Sequence, residues 1–521
     1  MRYTPKIGRR EFLVMTGAGG LALLAGCGSQ SDGGTSSGNG TRTTIGPGNP
    51  AVAKADKARG GTGKVTSFDL AAAATTLAIG SREVKTWAYG GLVPGKELRV
   101  RQGDTLEVNL RNQLPEDTTI HWHGLAIRND MDGVPDLTQP VIKPDGSFTY
   151  RFVVPDAGTY WFHPHMGLQL DRGLYAPLIV EDKADPGDFD VDQVVVLDDW
   201  LDGIDGKTPE KTYKSLTSMS GMGNMGGGGG MGDMGGGSMG SGSMPMSMAQ
   251  SDLLGGDAGD VTYPLHLING RPPEDRQTIK VAAGGRARLR LINAGSDTAY
   301  RVALGGHRLT VTHADGYAVE PVEVDAILIG MGERYDVTVS PKSGAWPLVA
   351  LAEGKDAVAA AIVRTSDASQ TSAPPADVQP KELDGRLLSY TDLSAVEADR
   401  LPVAKADVDQ KVKLTGSMMP YSWAFDGKAF DKHPPLDIQQ GQRVRVSFEN
   451  TTSMWHPIHL HGHTFRLGTN ATGPRKDTVN VLPKQTVVIE FDADNPGQWM
   501  AHCHNTYHLE QGMAMLVSYV G

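Results

Sequence analysis

Near its C-terminus the chain reads His502-Cys503-His504-Asn505-Thr506-Tyr507-His508-Leu509-Glu510-Gln511-Gly512-Met513, which gathers three imidazoles, a thiol and a thioether within twelve residues. Thiolate, imidazole and thioether are soft ligands, and two histidines, a cysteine and a weak methionine make the trigonal electron-transfer copper site. Cys503, His508 and Met513 supply three of those four ligands, so one histidine must come from elsewhere. A strand alternates its side chains between faces. His502 and His504 therefore point away from Cys503, toward a second metal centre joined to the first through the backbone of Cys503.

An internal repeat names the elements that position these groups. Gln102-Gly103 leads into Leu106, Val108 and Leu110 and closes at Asn112. Gly284-Gly285 leads into Ala287, Leu289 and Leu291 and closes at Asn293, and Gln440-Gly441 leads into Val444, Val446 and Phe448 and closes at Asn450. Each reads as a turn feeding a half-buried strand of period two. Three such units in a chain of short strands predict three all-β sandwiches in tandem, over 63–183, 184–370 and 384–521.

The same registers locate further ligands. Nine and eleven residues past Asn112 stand His121 and His123; past Asn450 stand His459 and His461; past Asn293 stand Val302 and Leu304. Five and seven past Gly158 stand His163 and His165; past Gly497, His502 and His504; past Gly344, Val349 and Leu351. The first and third domains thus bring four His-x-His pairs that can face one another. His456, six past Asn450, supplies the missing imidazole for Cys503. At the matching counts the first domain has Thr118, Pro164, Gln169 and Leu174, which cannot hold copper. A single His-x-His also occurs on exposed strands and in zinc sites; four in matched registers, one enclosing a cysteine, do not. His266, His307, His313 and His433 read as ordinary surface or core histidines, and His463 as a residue orienting a ligand or its strand.

The N-terminus bears on location. Arg9-Arg10-Glu11-Phe12-Leu13 is a twin-arginine pattern, and the 15 residues from Phe12 to Gly26 form a small and apolar stretch. That is shorter than the roughly 20 residues needed to cross a bilayer and reads as an export signal. Leu24-Ala25-Gly26-Cys27 resembles a lipobox, which makes Cys27 a lipidated first residue of the mature protein; an ordinary cleavage site with Cys27 incidental is the other reading. The expected location is the outer face of the cytoplasmic membrane, at the cell surface or in the periplasm, with Cys27 as the only membrane attachment. Residues 28–62 read as a flexible tether. Cys503 then has no partner for an intrachain disulfide. A formal charge of −11 with scattered basic residues argues against nucleic acid as a partner.

Together His121-Trp122-His123-Gly124, His163-Pro164-His165, His456-Pro457-Ile458-His459-Leu460-His461 and His502-Cys503-His504 through Met513 resemble the motifs of three-domain multicopper oxidases of the laccase and cuprous-oxidase group. The resemblance covers essentially everything after the tether. It implies three tandem cupredoxin-like Greek-key β-sandwiches and four copper ions. It assigns the type 1 copper to His456, Cys503, His508 and axial Met513, and the type 2 copper to His121 and His459. The type 3 pair takes His123, His163 and His504 on one side and His165, His461 and His502 on the other. The resemblance further implies that a donor gives single electrons at the exposed edge of His508. They pass through Cys503 to His502 and His504, where four electrons and four protons turn O2 into two waters. An axial Met implies a potential in the low or middle part of the family's range.

Asp132, in Asp130-Met131-Asp132-Gly133-Val134-Pro135, has two readings: a proton-relaying carboxylate on the type 2 side, or a turn aspartate before Gly133. Leu509 stands where several bacterial relatives carry a glutamate, and Glu510, placed on a strand, would face the opposite way. The segment 216–250 holds nine of the chain's 20 methionines in a Gly/Ser background. It reads either as a disordered linker or as a loop that captures Cu(I) through thioethers and covers the type 1 entrance. The expected activity is oxidation of Cu(I), with phenols and aromatic amines as further donors, coupled to O2 reduction in copper tolerance. The alternatives are a laccase acting mainly on phenols and a non-catalytic exported copper-binding or scaffold protein.

Overall fold

The structure, a computed structural model, describes residues 43–185, 187–218 and 249–521. Arg9, Arg10, Cys27 and the methionines of 219–248 lie outside the described residues. Each unit of the repeat opens on a glycine with left-handed backbone, Gly103 at φ 81°, Gly284 at 73° and Gly441 at 89°, a conformation that side chains disfavour. The strands that follow, Thr105–Gln113, Ala287–Asn293 and Arg443–Asn450, run parallel to the first strand of their own units, Val65–Ile79, Val191–Trp200 and Val408–Met418.

The asparagine closing each strand does the same work three times. Asn112 Nδ2 donates to the carbonyls of Glu116 and Ile142, both at 2.8 Å. Asn450 Nδ2 donates to Met454 (2.7 Å) and Val481 (2.9 Å), and Asn293 Nδ2 to Thr298 (2.9 Å) and Ile329 (3.0 Å). Each buried amide is thereby satisfied and pins the turn to the opposite sheet.

Around these units the chain builds three two-layer β-sandwiches. The first has two four-stranded sheets, and the second and third each pair a six-stranded with a five-stranded sheet. The alternating apolar residues form the cores: Leu106, Val108 and Leu110 in the first, Leu289 and Leu291 in the second, Val444, Val446 and Phe448 in the third. Among the described residues no helix is long and apolar enough to cross a membrane.

Three expectations need correction. The asparagine contact spans four residues in the first and third units but five in the second, where Asn293 reaches Thr298. The turn after Asn293 is therefore one residue longer, and Ala303 rather than Val302 lies opposite Val349, as His121 lies opposite His163. The middle domain still has no ligand there. Next, the part of 28–62 that is described is not a free tether. Pro50–Ala58 is an α-helix capped by Asn49, and Ile45 N donates to Tyr519 O at 2.8 Å, adding the segment to the edge of the third domain. Lastly, residues 384–396 belong by packing to the second domain. Leu388 and Leu393 join its core, and Leu387 and Ala395 bridge to Ala326 and Val319.

Candidate metal centres

Strand pairing sets the first centre. In the first domain His121–His123 lies against Gly158–His163 with His121 opposite His163. In the third, His456–Leu460 lies against Gln498–Cys503 with His459 opposite His502. The two strand pairs meet face to face, and eight imidazoles converge between the domains. Their nitrogens fall into groups within 4.8 Å: His123, His163 and His504; His165, His461 and His502; and His121 with His459 and His123. The structure thus brings together the residues that the resemblance assigns to each side of the type 3 pair. His121 and His459 approach at 3.4 Å between Nε2 atoms.

The hydrogen bonds around this cluster dictate which nitrogens are free. A carbonyl oxygen only accepts, so a ring nitrogen bound to one must carry the proton. Nδ1–H of His121 donates to Asp132 O (2.9 Å), of His163 to Pro164 O (3.0 Å), of His459 to Asp477 O (3.0 Å) and of His502 to Cys503 O (2.8 Å). His461 Nδ1 bonds the Asp132 carboxylate at 2.9 Å. The Nε2 atoms are left as lone pairs, and they face one another: His461 and His502 at 3.1 Å, His459 and His121 at 3.4 Å. Among the described residues, Nε2 of His163 and of His165 have no hydrogen-bond partner. Burial, reinforced by neighbouring imidazoles, drives His163, His165, His461, His502 and His504 well below the ordinary histidine pKa. A proton therefore does not relieve the facing lone pairs, whereas a metal cation does. The cluster fits metal ions by its own chemistry.

The second centre lies on the other side of the same strand. Cys503 Sγ is 3.4 Å from His508 Nδ1 and 3.7 Å from His456 Nδ1, and the two nitrogens are 3.2 Å apart. A single ion with metal–nitrogen and metal–sulfur bonds of about 2.0 and 2.3 Å spans a triangle of that size. Cys503 is fully buried and has no disulfide. Met513, also buried, is held beside it: Cys503 N donates to Met513 O (3.0 Å) and Met513 N to His508 O (3.1 Å). His508 sits on a short helix, Thr506–Glu510, whose N-cap Asn505 accepts from the amides of Tyr507 and His508. Glu510 is thus on a helix, not a strand, because the Asn505 cap turns the chain.

The expected open edge of His508 is closed. Its exposure is 0%, and its outer nitrogen, Nε2, bonds Asp260 Oδ2 at 3.0 Å. Tyr421 donates to the same oxygen at 2.6 Å, and the Trp423 ring packs 4.3 Å from His508. Burial opposes a charge on His508, but the Asp260 carboxylate and Cys503 outweigh it and raise the metal-free imidazole to about 10. In the first domain the matched positions fill the same place with polar groups. Thr118 Oγ1 donates to Gln169 Oε1 at 2.8 Å.

Asp132 stands at the first centre and does more than close a turn. Its carboxylate lies 2.9 Å from His461 Nδ1 and 3.2 Å from His121 Nδ1, bridging the two domains. His463 bonds the His461 carbonyl (3.1 Å) and Tyr519 OH (2.7 Å), so it orients a strand as expected. Sequence reasoning missed Asp260, Asp477 and Trp161. The Trp161 ring lies 4.5 Å from His163 and 5.0 Å from His123; only its place two residues before His163 could have marked it.

Three sandwiches with a cysteine–histidine centre and an imidazole cluster on opposite faces of one strand define a copper-binding oxidoreductase of cupredoxin type. The chain belongs to the multicopper oxidase family, whose models match residues 71–185, 244–368 and 404–520. It is similar to the multicopper oxidase MmcO of Mycobacterium tuberculosis, 44% identical across 99% of this chain and 97% of that protein. It is also similar to copper resistance protein A of Escherichia coli, 28% identical across 86% of this chain and 91% of that one. Among solved structures, a multi-copper oxidase from Pseudomonas thermotolerans superposes with a TM-score of 0.64 at 26% identity, covering 88% of this chain and 100% of that one.

Proposed function

We propose that the chain is an exported oxidase that takes single electrons from Cu(I), and secondarily from phenols and aromatic amines, and delivers them to O2. The observation that carries this reading is the strand Gln498–Cys503 and its next residue, on which Cys503 faces one centre while His502 and His504 face the other. Four copper ions would be held by the residues the resemblance assigns: His456, Cys503, His508 and Met513 at the type 1 position, and the eight clustered imidazoles at the other three. Bound there, copper supplies one-electron redox chemistry at the thiolate and O2 reduction at the cluster.

The chain's own residues do the rest. Cys503 links the centres through a few covalent bonds to His502 and His504. Asp132 holds His461 and His121 by their Nδ1 atoms and offers a carboxylate where protons are consumed. Asp260 fixes His508 by its outer nitrogen and puts a negative group where the donor arrives. That favours a small cation over a bulky neutral phenol, which would have to push aside Asp260 and Tyr421. Relatives named for copper resistance are consistent with copper tolerance as the role. The twin-arginine pattern and Cys27 support a lipid-anchored position outside the cytoplasmic membrane.

The experiment compares Cu(I) and phenol turnover in the full chain and in one lacking 219–248. The deletion is narrower than 216–250 because Leu216 is buried and Gln250 pairs with Asp257 in a strand. Faster cuprous than phenol turnover in the full chain is expected, with the deletion slowing Cu(I) and opening the site to phenols. A chain that oxidises phenols faster than Cu(I) is instead a laccase, and unchanged rates with both donors after deletion dismiss a role for the methionines.

A further inference from the structure

The middle domain contributes no ligand to either centre, yet one of its side chains reaches the imidazole cluster. Arg334 is fully buried, and all its donors have acceptors. Nη1 and Nη2 each lie 2.7 Å from one oxygen of Asp477. Nη1 also donates to Gly332 O (3.2 Å), Nη2 to Asp315 O (3.1 Å) and Nε to Thr159 O in the first domain (3.1 Å). Such a two-toothed pair fixes both the position and the plane of a carboxylate.

Asp477 in turn touches the cluster. Its Oδ1 lies 3.2 Å from His123 Nε2. A carboxylate held ionised by a guanidinium only accepts, so His123 carries its proton on Nε2. Nδ1 is left as the lone pair, facing His504 Nε2 at 3.2 Å. His123 is thus turned the opposite way from His121, His163, His459 and His502, which donate from Nδ1. The space around the fork is cut to fit. A Cβ at Gly124 would lie 2.3 Å from Arg334 Nη2 and 2.7 Å from Asp477 Oδ2, and one at Gly332 would lie 3.0 Å from both the His123 and His504 rings.

We propose that Arg334 is a positioning residue, which through Asp477 selects the nitrogen that His123 presents to the cluster. The middle domain then acts as the part that sets one ligand's tautomer, and not only as a spacer. The proposal rests on reading His123 as a copper ligand. Outer-sphere partners of metal-bound histidines act in this way, and their loss weakens the metal by about 10–100-fold.

Two variants test it. Arg334→Lys keeps the charge but cannot span both carboxylate oxygens. Arg334→Met combined with Asp477→Asn removes both charges, leaves no unpaired buried ion, and lets the amide donate to His123. In each, the blue thiolate band, copper per chain and the magnetic signature of the coupled copper pair are measured. Nitrogen NMR of the imidazoles in the metal-free chain reports the tautomer. In both, the blue band should match the unaltered chain, while the cluster binds copper about 10–100-fold more weakly and the pair becomes magnetically uncoupled; in the double variant the His123 proton also moves to Nδ1. Arg334→Lys also covers failure of the double variant to fold. A folded variant of either kind with full copper and an intact pair, or a folded double variant with the proton still on Nε2, overturns the proposal. An unaltered chain with no blue band would instead sink the reading of the centres, and this proposal with it.

Discussion

Asp260 of the middle domain caps His508 of the third, with Oδ2 3.0 Å from Nε2, while the other nitrogen of that ring points at Cys503 Sγ. In the proposed oxidase this buried carboxylate would stand between an approaching electron donor and the imidazole. Asp260→Asn preserves shape and removes the charge. A hydrogen bond to a charged group contributes about 1.5–3 kcal/mol, so kcat/KM for Cu(I) should fall about 10–100-fold, while a neutral phenol loses far less. The blue band should remain. Equal losses for both donors would mean that the charge does not select the cation.

Asp132 touches His121 and His461 on opposite sides of the domain interface. In Asp132→Ala His461 loses the carboxylate that orients it, while His121 keeps its bond to the main-chain carbonyl of residue 132, and turnover should fall by about 10–100-fold with every donor. The type 1 absorption should be untouched, since none of its ligands contacts Asp132. Steady-state oxygen uptake beside the visible spectrum checks this. Unchanged uptake would return Asp132 to the role of a turn residue.

The metal-free chain should lose stability as pH falls from about 7 to 5. Burial holds seven imidazoles (His123, His163, His165, His456, His461, His502 and His504) well below their ordinary pKa. In that window the unfolded chain takes up protons that the folded chain refuses, at up to about 1.4 kcal/mol per pH unit for each group. Asp171 and Asp198, which burial pushes well above the usual carboxylate range, and Asp257, which burial pushes up to about 6, act in the opposite sense but are outnumbered. His508, raised to about 10, adds stability below its ordinary value that disappears only as pH rises through about 10. Melting temperature against pH measures the balance, and a curve that is flat or rises toward pH 5 would contradict it.

The clustered histidines were legible in the sequence because strand periodicity and a repeated Asn-capped turn fix which residues face one another. His121 opposite His163 and His459 opposite His502 follow from counting alone. So does the polar stand-in, Thr118 against Gln169, where the third domain has His456 and His508. Counting failed where the turn after Asn293 gained a residue, since no pattern in the sequence records an insertion of one. What sequence could not show are the groups that approach across domain boundaries. Asp260, Arg334 and Asp477 sit in no motif, and their significance lies in distances set by packing. The closure of His508 belongs with them, because the side chains that cover it come from two domains.

In the proposed oxidase Cys503 is the entry for electrons that the imidazole cluster passes to O2. Oxygen uptake with limiting Cu(I), measured on the copper-loaded chain and on Cys503→Ser, tests it most directly. The unaltered chain should be blue, bleach when reduced without air, and consume one O2 for every four Cu(I) without releasing peroxide. Cys503→Ser should lose the blue band and turnover with every donor while its clustered histidines still bind copper. A Cys503→Ser chain that oxidises Cu(I) at the unaltered rate would contradict the account.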